Sequence, residues 1–579
     1  MSLIQKEVIE IYRNNPELLI DYSHKSLYIQ RMGLHDKFIL FMSKLSYKIK
    51  YGHNNYKILL KLFEIIHLFD IELVVKMAIQ FNLWGETIYK LGTKKHRGYI
   101  KNTEELKIYG AFAMTEIGHG SNIFKLETTA TYNHFKREFI INTPYASSHK
   151  YWIGHAGMFA HYAIVFAQLY IGDISYGVHP FIVQLRDENN QYLSKVIIND
   201  CGVKNSLNGI DNGEIILDNV IIPYDNLLDK LAYINTAGEY ITTKGRLSKM
   251  LSELSKNRLG MGLGANIISR YALKQTLLYS NSRLQFGKIE HSILSYTSYQ
   301  HRLLPLLAEA YINNLYNSCS SNYLDNIQKT HFNSIISKTA CSWNALRTLQ
   351  ECREGCGGHG YHYKTHFGKM YRDLDIYTTF EGDNNVLLQQ IIQIKLKECK
   401  KNFTTMRYLR YTLDKYANYF NYFIPNIVGS VYDDFDIQSF IEYINYRIEY
   451  KIIAILLQFN KKQKQGITTE DTWNSLQTSI VQLSKLISFH NRIETAILPS
   501  NKPNKALLYI FMLQHIKQSG IHYIINNSIS IQVLVDIDIL LEKNYLIIVN
   551  DLSTYLKLLD VPNINDIMDN HLCKIRSLM

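Results

Sequence analysis

Residues 126–143 read LETTATYNHFKREFIINT, and this stretch decides the fold class. Two runs rich in threonine, β-branched and aromatic residues, 126–132 and 138–143, flank the polar run 133–137, which suits a hairpin connection. Runs 163–169, 179–185, 192–198 and 214–222 continue the pattern, separated by Gly, Asn and Asp. A compact β domain of roughly a hundred residues is therefore expected here. On either side the period is that of helices. Upstream, 7–12, 27–48 and 56–80 place apolar residues three and four apart, and Pro16 is the only proline before residue 108. Downstream, 263–281, 292–317 and 331–353 are long amphipathic stretches that fit a helix bundle. Residues 401–579 are again helical in pattern, with polar breaks at 461–465 and 499–503. The expected architecture is mainly α with a central β domain: a helical domain over 1–108, the β domain over 109–231, a helix bundle over 232–400 and a helical extension over 401–579.

Composition narrows the function. The chain has 579 residues, 46% hydrophobic and 20% charged, as in a soluble globular protein. It holds no run of 18 apolar residues, so no membrane span is expected; 529–549 comes nearest and is broken by Asp536, Asp538, Glu542 and Lys543. The N-terminal MSLIQKEVIEIYRNN carries charges where a cleavable signal needs an apolar core. The final RSLM matches a peroxisomal tripeptide poorly, so a cytoplasmic location is expected over a peroxisomal one. The net charge of +12 is scattered, with no five-residue basic run, so nucleic-acid binding is not expected. Seven cysteines, an odd number, suit free thiols. Cys352, Cys356 and His359 lack a fourth ligand at zinc-like spacing, and no metal is expected.

Two stretches carry the chemistry. Residues 109–122, YGAFAMTEIGHGSN, lead an apolar approach into Thr115-Glu116 and a glycine-bracketed His119. Such a loop offers backbone N–H groups and a hydroxyl to an electron-rich ligand edge. It does not fit the dinucleotide fingerprint, because a strand rather than a helix is expected after it. Residues 351–390 hold a glycine-rich loop, Gly355, Gly357, Gly358 and Gly360, and then Glu381 in a turn before a helix over about 386–397. That helix aims unpaired N–H groups and its positive dipole end back at the turn. A cofactor site beside proton chemistry and a pair of ordinary turns are both compatible with this stretch alone.

FAMTEIGHGSN (112–122), LETTATY and EFIINTP closely resemble the acyl-CoA oxidases, flavoenzymes of the acyl-CoA dehydrogenase superfamily. Further resemblances follow in the family's order: LGTKKHR (91–97), KYWIG (150–154), AIVFAQLY (163–170), DNVIIP (218–223), SRLQFG (282–287), ECREGCGGHGY (351–361), TFEGDNNVLLQQ (379–390) and YLKLLDVPN (555–563). The resemblance is dense from about 83 to 395. It implies an acyl-CoA dehydrogenase-like fold, FAD as cofactor, a fatty acyl-CoA substrate, O2 as acceptor with H2O2 as product, and a homodimer. It also implies roles. Thr115 bonds the flavin ring, and Trp152, Ile153 and Gly154 lie against the isoalloxazine. Arg283 approaches the pyrophosphate of a neighbouring subunit's flavin, while Gly357, Gly358, Asp383 and Asn384 hold the adenosine part. Ser121 and Gly382 meet the substrate, Ser121 at its pantetheine arm. Glu381 is the catalytic base, a carboxylate that a low-dielectric pocket makes a stronger base.

Other acids read as structural: Glu116 in the loop, and Glu351 and Glu354 paired beside Arg353. His119 and His359 read as packing or hydrogen-bonding residues. The chain departs from the family at Tyr151, where a second tryptophan is common, at Gly355, often alanine, and at Asp383, where the dehydrogenase branch has threonine. EGDNN favours the oxidase branch. The alternatives are a dehydrogenase passing electrons to an electron-transfer flavoprotein, and a non-catalytic acyl-CoA-binding protein on the same fold.

Overall fold

The structure is a computed structural model that describes residues 3–47, 49–52, 55–402, 437–525, 531–565 and 567. It divides into two compact units, residues 1–260 with 562–579, and residues 261–561.

The first unit opens with helices α1 Leu3–Asn14, α2 Leu27–Lys44, α3 Asn55–Ile66, α4 Ile71–Met77, α5 Glu86–Leu91 and α6 Arg97–Glu104. The single helix expected over 56–80 is divided. Asp70 caps a new helix by accepting the Leu73 N–H at 3.0 Å, and it pairs with Lys37 at 2.9 Å. A capping carboxylate with non-helical backbone angles overrides the continuous apolar period. The helix expected over 27–48 stops at Lys44.

The β region follows as β1 Gly110–Ala113, β2 Thr129–Asn133, β3 Glu138–Asn142, β4 Lys150–Ile153, β5 Tyr162–Ile171, β6 Ile174–Gln184, β7 Val196–Asp200, β8 Gly213–Leu217 and β9 Val220–Pro223. A short hairpin, β10 Ala232–Ile234 with β11 Tyr240–Thr242, succeeds it. The larger sheet runs β1-β5-β2-β3-β9, with β6 also paired to β5, and a second sheet runs β4-β8-β7. The hairpin that residues 126–143 encode is present: β2 and β3 pair antiparallel, Thr131 opposite Ile140. Two expectations fail. The strand expected over 192–198 begins only at Val196, after a turn in which Lys195 is left-handed at φ +70. Residues 214–222 are two strands in different sheets, because Asn219 adopts φ +52 and turns the chain between β8 and β9. Asparagine tolerates that left-handed angle better than most residues.

Strand β5 shows why its run is almost wholly apolar. Ala163, Val165, Ala167 and Leu169 face the β core with Phe139 and Ile141. The alternate residues Ile164 and Phe166 pack with Trp84, Ile88 and Leu91 of the helical segment. A strand buried on both faces loses the polar alternation of a surface strand. The unit continues with α7 Arg246–Glu253.

The second unit is helical. Its long helices are α8 Asn257–Ser282, α9 Thr297–Ser320 and α10 Ile327–Gly355, followed by the single turn α11 Gly357–Gly360, α12 Phe367–Asp375 and α13 Asn384–Asn402. A two-residue ribbon, β12 Leu284–Gln285 with β13 His291–Ser292, joins α8 to α9. Later helices are α14 Ile437–Lys464, α15 Thr469–Ala496, α16 Lys505–Ile525, α17 Ile531–Asn550 and α18 Leu552–Leu558. The breaks at 461–465 and 499–503 fall at the ends of α14 and α15. The segment 555–563 is tied to α8, where buried Arg270 donates to the Leu559 carbonyl at 2.7 Å and Lys274 to that of Val561 at 2.9 Å. No described helix is long and apolar enough to cross a membrane. The terminal RSLM lies outside the described residues.

Candidate functional site

In the first unit, the loop after β1 and the segment around β4 are joined through their backbones. Thr115 accepts the Tyr151 N–H at 2.9 Å, and the N–H groups of Ile117 and Gly118 reach the carbonyls of His149 (3.1 Å) and Ser147 (2.8 Å). Thr115, Trp152, Ile153 and Gly154 are thus parts of one substructure. Ser121, further along the loop, is exposed.

A buried ion pair holds that substructure. Glu116 and Lys150 meet at 2.9 Å with fully buried side chains. Glu116 also accepts the N–H groups of Glu127 (2.7 Å) and Thr128 (2.9 Å) and the Thr128 hydroxyl (2.5 Å). Lys150 also donates to the carbonyls of Phe166 (2.7 Å) and Met114 (3.2 Å). Burial pushes the Glu116 carboxyl up, but Lys150 and the donors of residues 127 and 128 outweigh it and hold it below its ordinary value. Burial pulls the Lys150 ammonium down to about 8, against the pull of Glu116. With its oxygens taken, Glu116 is a structural acid. His119 and Glu127 bring ligand atoms within 4.8 Å of it, but those same bonds engage its oxygens.

Strand β4 itself presents Trp152 near its end. Its backbone is left-handed, φ +65, its carbonyl accepts the Asn212 amide at 2.9 Å, and its side chain is 52% exposed. Ile153 points inward at 2% exposure. His155, also left-handed, is wholly buried with its Nδ1 at 3.1 Å from the Gly110 carbonyl, and burial holds its pKa well below the ordinary value. Beyond it Arg186 donates to the Ala156 and Ala160 carbonyls at 2.7 and 2.6 Å. An exposed aromatic side chain on a braced strand end suits a flat aromatic ligand.

In the second unit, the glycine-rich segment is less a loop than a helix end. Gly355 closes α10, Cys356 caps it, Gly357 takes φ +57 and one helical turn follows. A side chain at Gly360 would put its Cβ 2.1 Å from the Arg353 carbonyl oxygen, whereas Gly358 faces open space. Tyr299 braces the corner by donating to the Gly355 carbonyl at 3.0 Å. Cys352 and Cys356 are buried, the Cys356 thiol lies 3.7 Å from the Thr276 hydroxyl, and His359 stacks on Tyr279 at 5.0 Å. Among the described residues, Cys201, Cys319, Cys341, Cys352 and Cys356 are free thiols. Glu351 and Glu354 do pair, chiefly with Arg302 of α9 at 2.7 and 3.0 Å; Glu354 also meets Arg353 at 3.3 Å. Arg283 is exposed just beyond α8, next to the exposed Leu284, Phe286 and Ile289.

Glu381 is half-buried and left-handed at φ +56, followed by Gly382 at φ +99. Asp383 is an N-cap, its carboxylate accepting the N–H groups of Asn385 (2.9 Å) and Val386 (3.2 Å). Asn384 is buried and donates to Ser342 of α10 at 3.0 Å. Beneath the turn Lys338, wholly buried on α10, donates to the Gly382 carbonyl at 2.6 Å. Sequence reading missed Lys338 and the pairing role of Lys150. Lys150 stood inside a quoted motif; Lys338 is a lone lysine on a buried helix, which no local pattern marks.

Two family models match: the acyl-CoA oxidase C-alpha1 domain over residues 251–396, and the acyl-CoA dehydrogenase middle domain over residues 111–220. The peroxisomal acyl-coenzyme A oxidase 3 of Arabidopsis thaliana is 39% identical over 359 residues, covering 59% of this chain and 53% of the relative. The acyl-coenzyme A oxidase-like protein of Mus musculus is 33% identical over 486 residues, 78% of this chain and 75% of that one. The chain spans about half the length of the first of these, the plant relative. A crystal structure of acyl-CoA oxidase-1 from Caenorhabditis elegans complexed with FAD and ATP superposes with a TM-score of 0.82 at 21% identity, covering 98% of this chain and 87% of that one, and so shares its fold. The expected architecture, mainly α with a central β domain, is the one found. The cytoplasmic expectation is corrected: the plant relative's name places it in the peroxisome. The expectation rested on a weak terminal tripeptide, and the absence of a short address motif carries little information.

Proposed function

The chain belongs to the acyl-CoA oxidase family, and from that premise we propose that it oxidises fatty acyl-CoA to trans-2-enoyl-CoA, with FAD as cofactor and O2 as acceptor, in fatty-acid β-oxidation. The observation that carries this reading is the Glu381–Gly382 turn. It holds a half-buried carboxylate in a left-handed conformation on a fixed support. Strained backbone kept in place by its surroundings is frequent at sites of chemistry.

The residues present fit FAD. Trp152, Ile153 and Gly154 with Thr115 would lie along the flavin ring. The open space at Gly358 and the left-handed Gly357 leave room for the adenosine part, which Asp383 and Asn384 would also meet. Arg283, exposed beside Phe286 and Ile289, suits contact with a second copy of the chain and its pyrophosphate, so we propose a homodimer. When bound, FAD supplies the hydride acceptor and the route of electrons to oxygen. The chain's own residues do the rest. Ser121 and Gly382 contact the acyl-CoA. Glu381 takes the α-proton onto a carboxylate oxygen, and its backbone N–H donates to the thioester oxygen as charge develops there. The net change is loss of two hydrogens from the acyl chain and reduction of O2 to H2O2.

The test is reconstitution. The purified protein takes up FAD, turns yellow, and forms peroxide with acyl-CoA in air. A colourless protein that cannot be reconstituted contradicts the proposal.

A further inference from the structure

We propose that Lys338 is a positioning residue for Glu381, fixing the turn that carries the carboxylate; this rests on the reading of Glu381 as the base. An ammonium at 0% exposure is costly to bury and persists only where acceptors are held for it. Here one acceptor is the Gly382 carbonyl at 2.6 Å, one peptide from Glu381. One helical turn along α10, Ser342 accepts the Asn384 amide at 3.0 Å. Lys338 and Ser342 stand at i and i+4, so both lie on one face of α10. That face grips both sides of the turn, residue 382 from one side and residue 384 from the other. Asp383 closes the remaining link by capping α13.

The grip matters because both conformations in the turn are disfavoured for ordinary chain. Glu381 takes a left-handed angle although it carries a Cβ. Such an angle relaxes unless the neighbouring peptides are held. Proton abstraction needs the carboxylate placed to within a fraction of an ångström, and misplacement by about 1 Å costs about 100-fold in rate. Charged groups on neighbouring helices have partners of their own: Lys369 with Asp373 of α12 at 2.5 Å, and Glu309 of α9 with Arg347 and Arg492 at 2.8 and 3.1 Å. The charged side chain that reaches the Gly382 carbonyl is Lys338.

The experiment compares Lys338→Met, Lys338→Arg and Glu381→Gln with the wild type. On cofactor-free protein, amide hydrogen exchange of peptides covering 379–388 is read by mass spectrometry. On FAD-loaded protein, the rate of flavin bleaching is read against acyl-CoA concentration without oxygen. Lys338→Met is expected to speed exchange in those peptides by about tenfold and to lower the limiting bleaching rate by about 100-fold, leaving the half-saturating concentration within about threefold. Lys338→Arg keeps the charge and a donor and recovers the limiting rate to within about tenfold of the wild type. Unchanged exchange with an unchanged limiting rate in Lys338→Met overturns the proposal, as does an Arg variant that folds yet is as slow as the Met variant. Should Lys338→Met not fold, Lys338→Gln takes its place with the same expected and overturning results. Glu381→Gln separates the two readings. If it does not bleach while Lys338→Met runs at full rate, only the role of Lys338 falls. If it bleaches at the wild-type rate, Glu381 is not the base and both readings fall.

Discussion

Glu116 and Glu381 are both loop carboxylates beside glycines, and the sequence around each looks suited to a site. Their surroundings differ. Glu116 is 2% exposed and spends its oxygens on Lys150, the Thr128 hydroxyl and two backbone N–H groups. Glu381 is half-buried, and its neighbours grip the backbone around it. A carboxylate saturated by fixed donors is held ionised and is a weak base. What distinguishes Glu381 is its main chain: a left-handed turn held from Lys338 and Ser342 of one helix. Burial with full satisfaction fits the structural role of Glu116, and the braced turn fits the proposed role of Glu381 as base.

The contrast can be broken experimentally. The largest expected effect is at Glu381. Glu381→Gln should lower the rate of acyl-CoA-dependent flavin bleaching by about 10²–10⁴-fold while the far-UV circular dichroism stays that of the wild type. Next comes Lys150→Met, which leaves Glu116 buried without its counter-charge. It should cost about 3–5 kcal/mol of stability in urea unfolding, and a change under 1 kcal/mol would show that Glu116 is not held as described. Gly360→Ala drives a Cβ against the Arg353 carbonyl and should cost about 1–3 kcal/mol by the same measurement. The smallest effect is expected from Arg302→Ala. Its pairs with Glu351 and Glu354 are 40% exposed on the arginine side, so the loss should be about 0.2–1 kcal/mol and shrink with added salt.

Much of the fold was legible because period reports burial. The hairpin over 126–143 and the helices of the second unit appear where the alternation and the 3.6-residue spacing place them. The failures are at single residues that override a period. Asp70 caps a helix inside a continuous apolar pattern, and Asn219 turns the chain inside what reads as one strand. The site divides the same way. Glu381 and the glycines stand out because turn chemistry is local. Lys150 and Lys338 do not, because what makes them matter is contact with residues tens of positions away. A lysine on an apolar helix has no local signature of the carbonyl it will meet.

The most direct test is anaerobic titration of the FAD-loaded protein with acyl-CoAs of several chain lengths, followed at the flavin absorption maximum and then opened to air. The account predicts bleaching by at least one chain length, with recovery of the yellow colour in air and one H2O2 formed per flavin reoxidised. A flavin that no acyl-CoA bleaches, or one that bleaches but gives no peroxide on reoxidation, would contradict it.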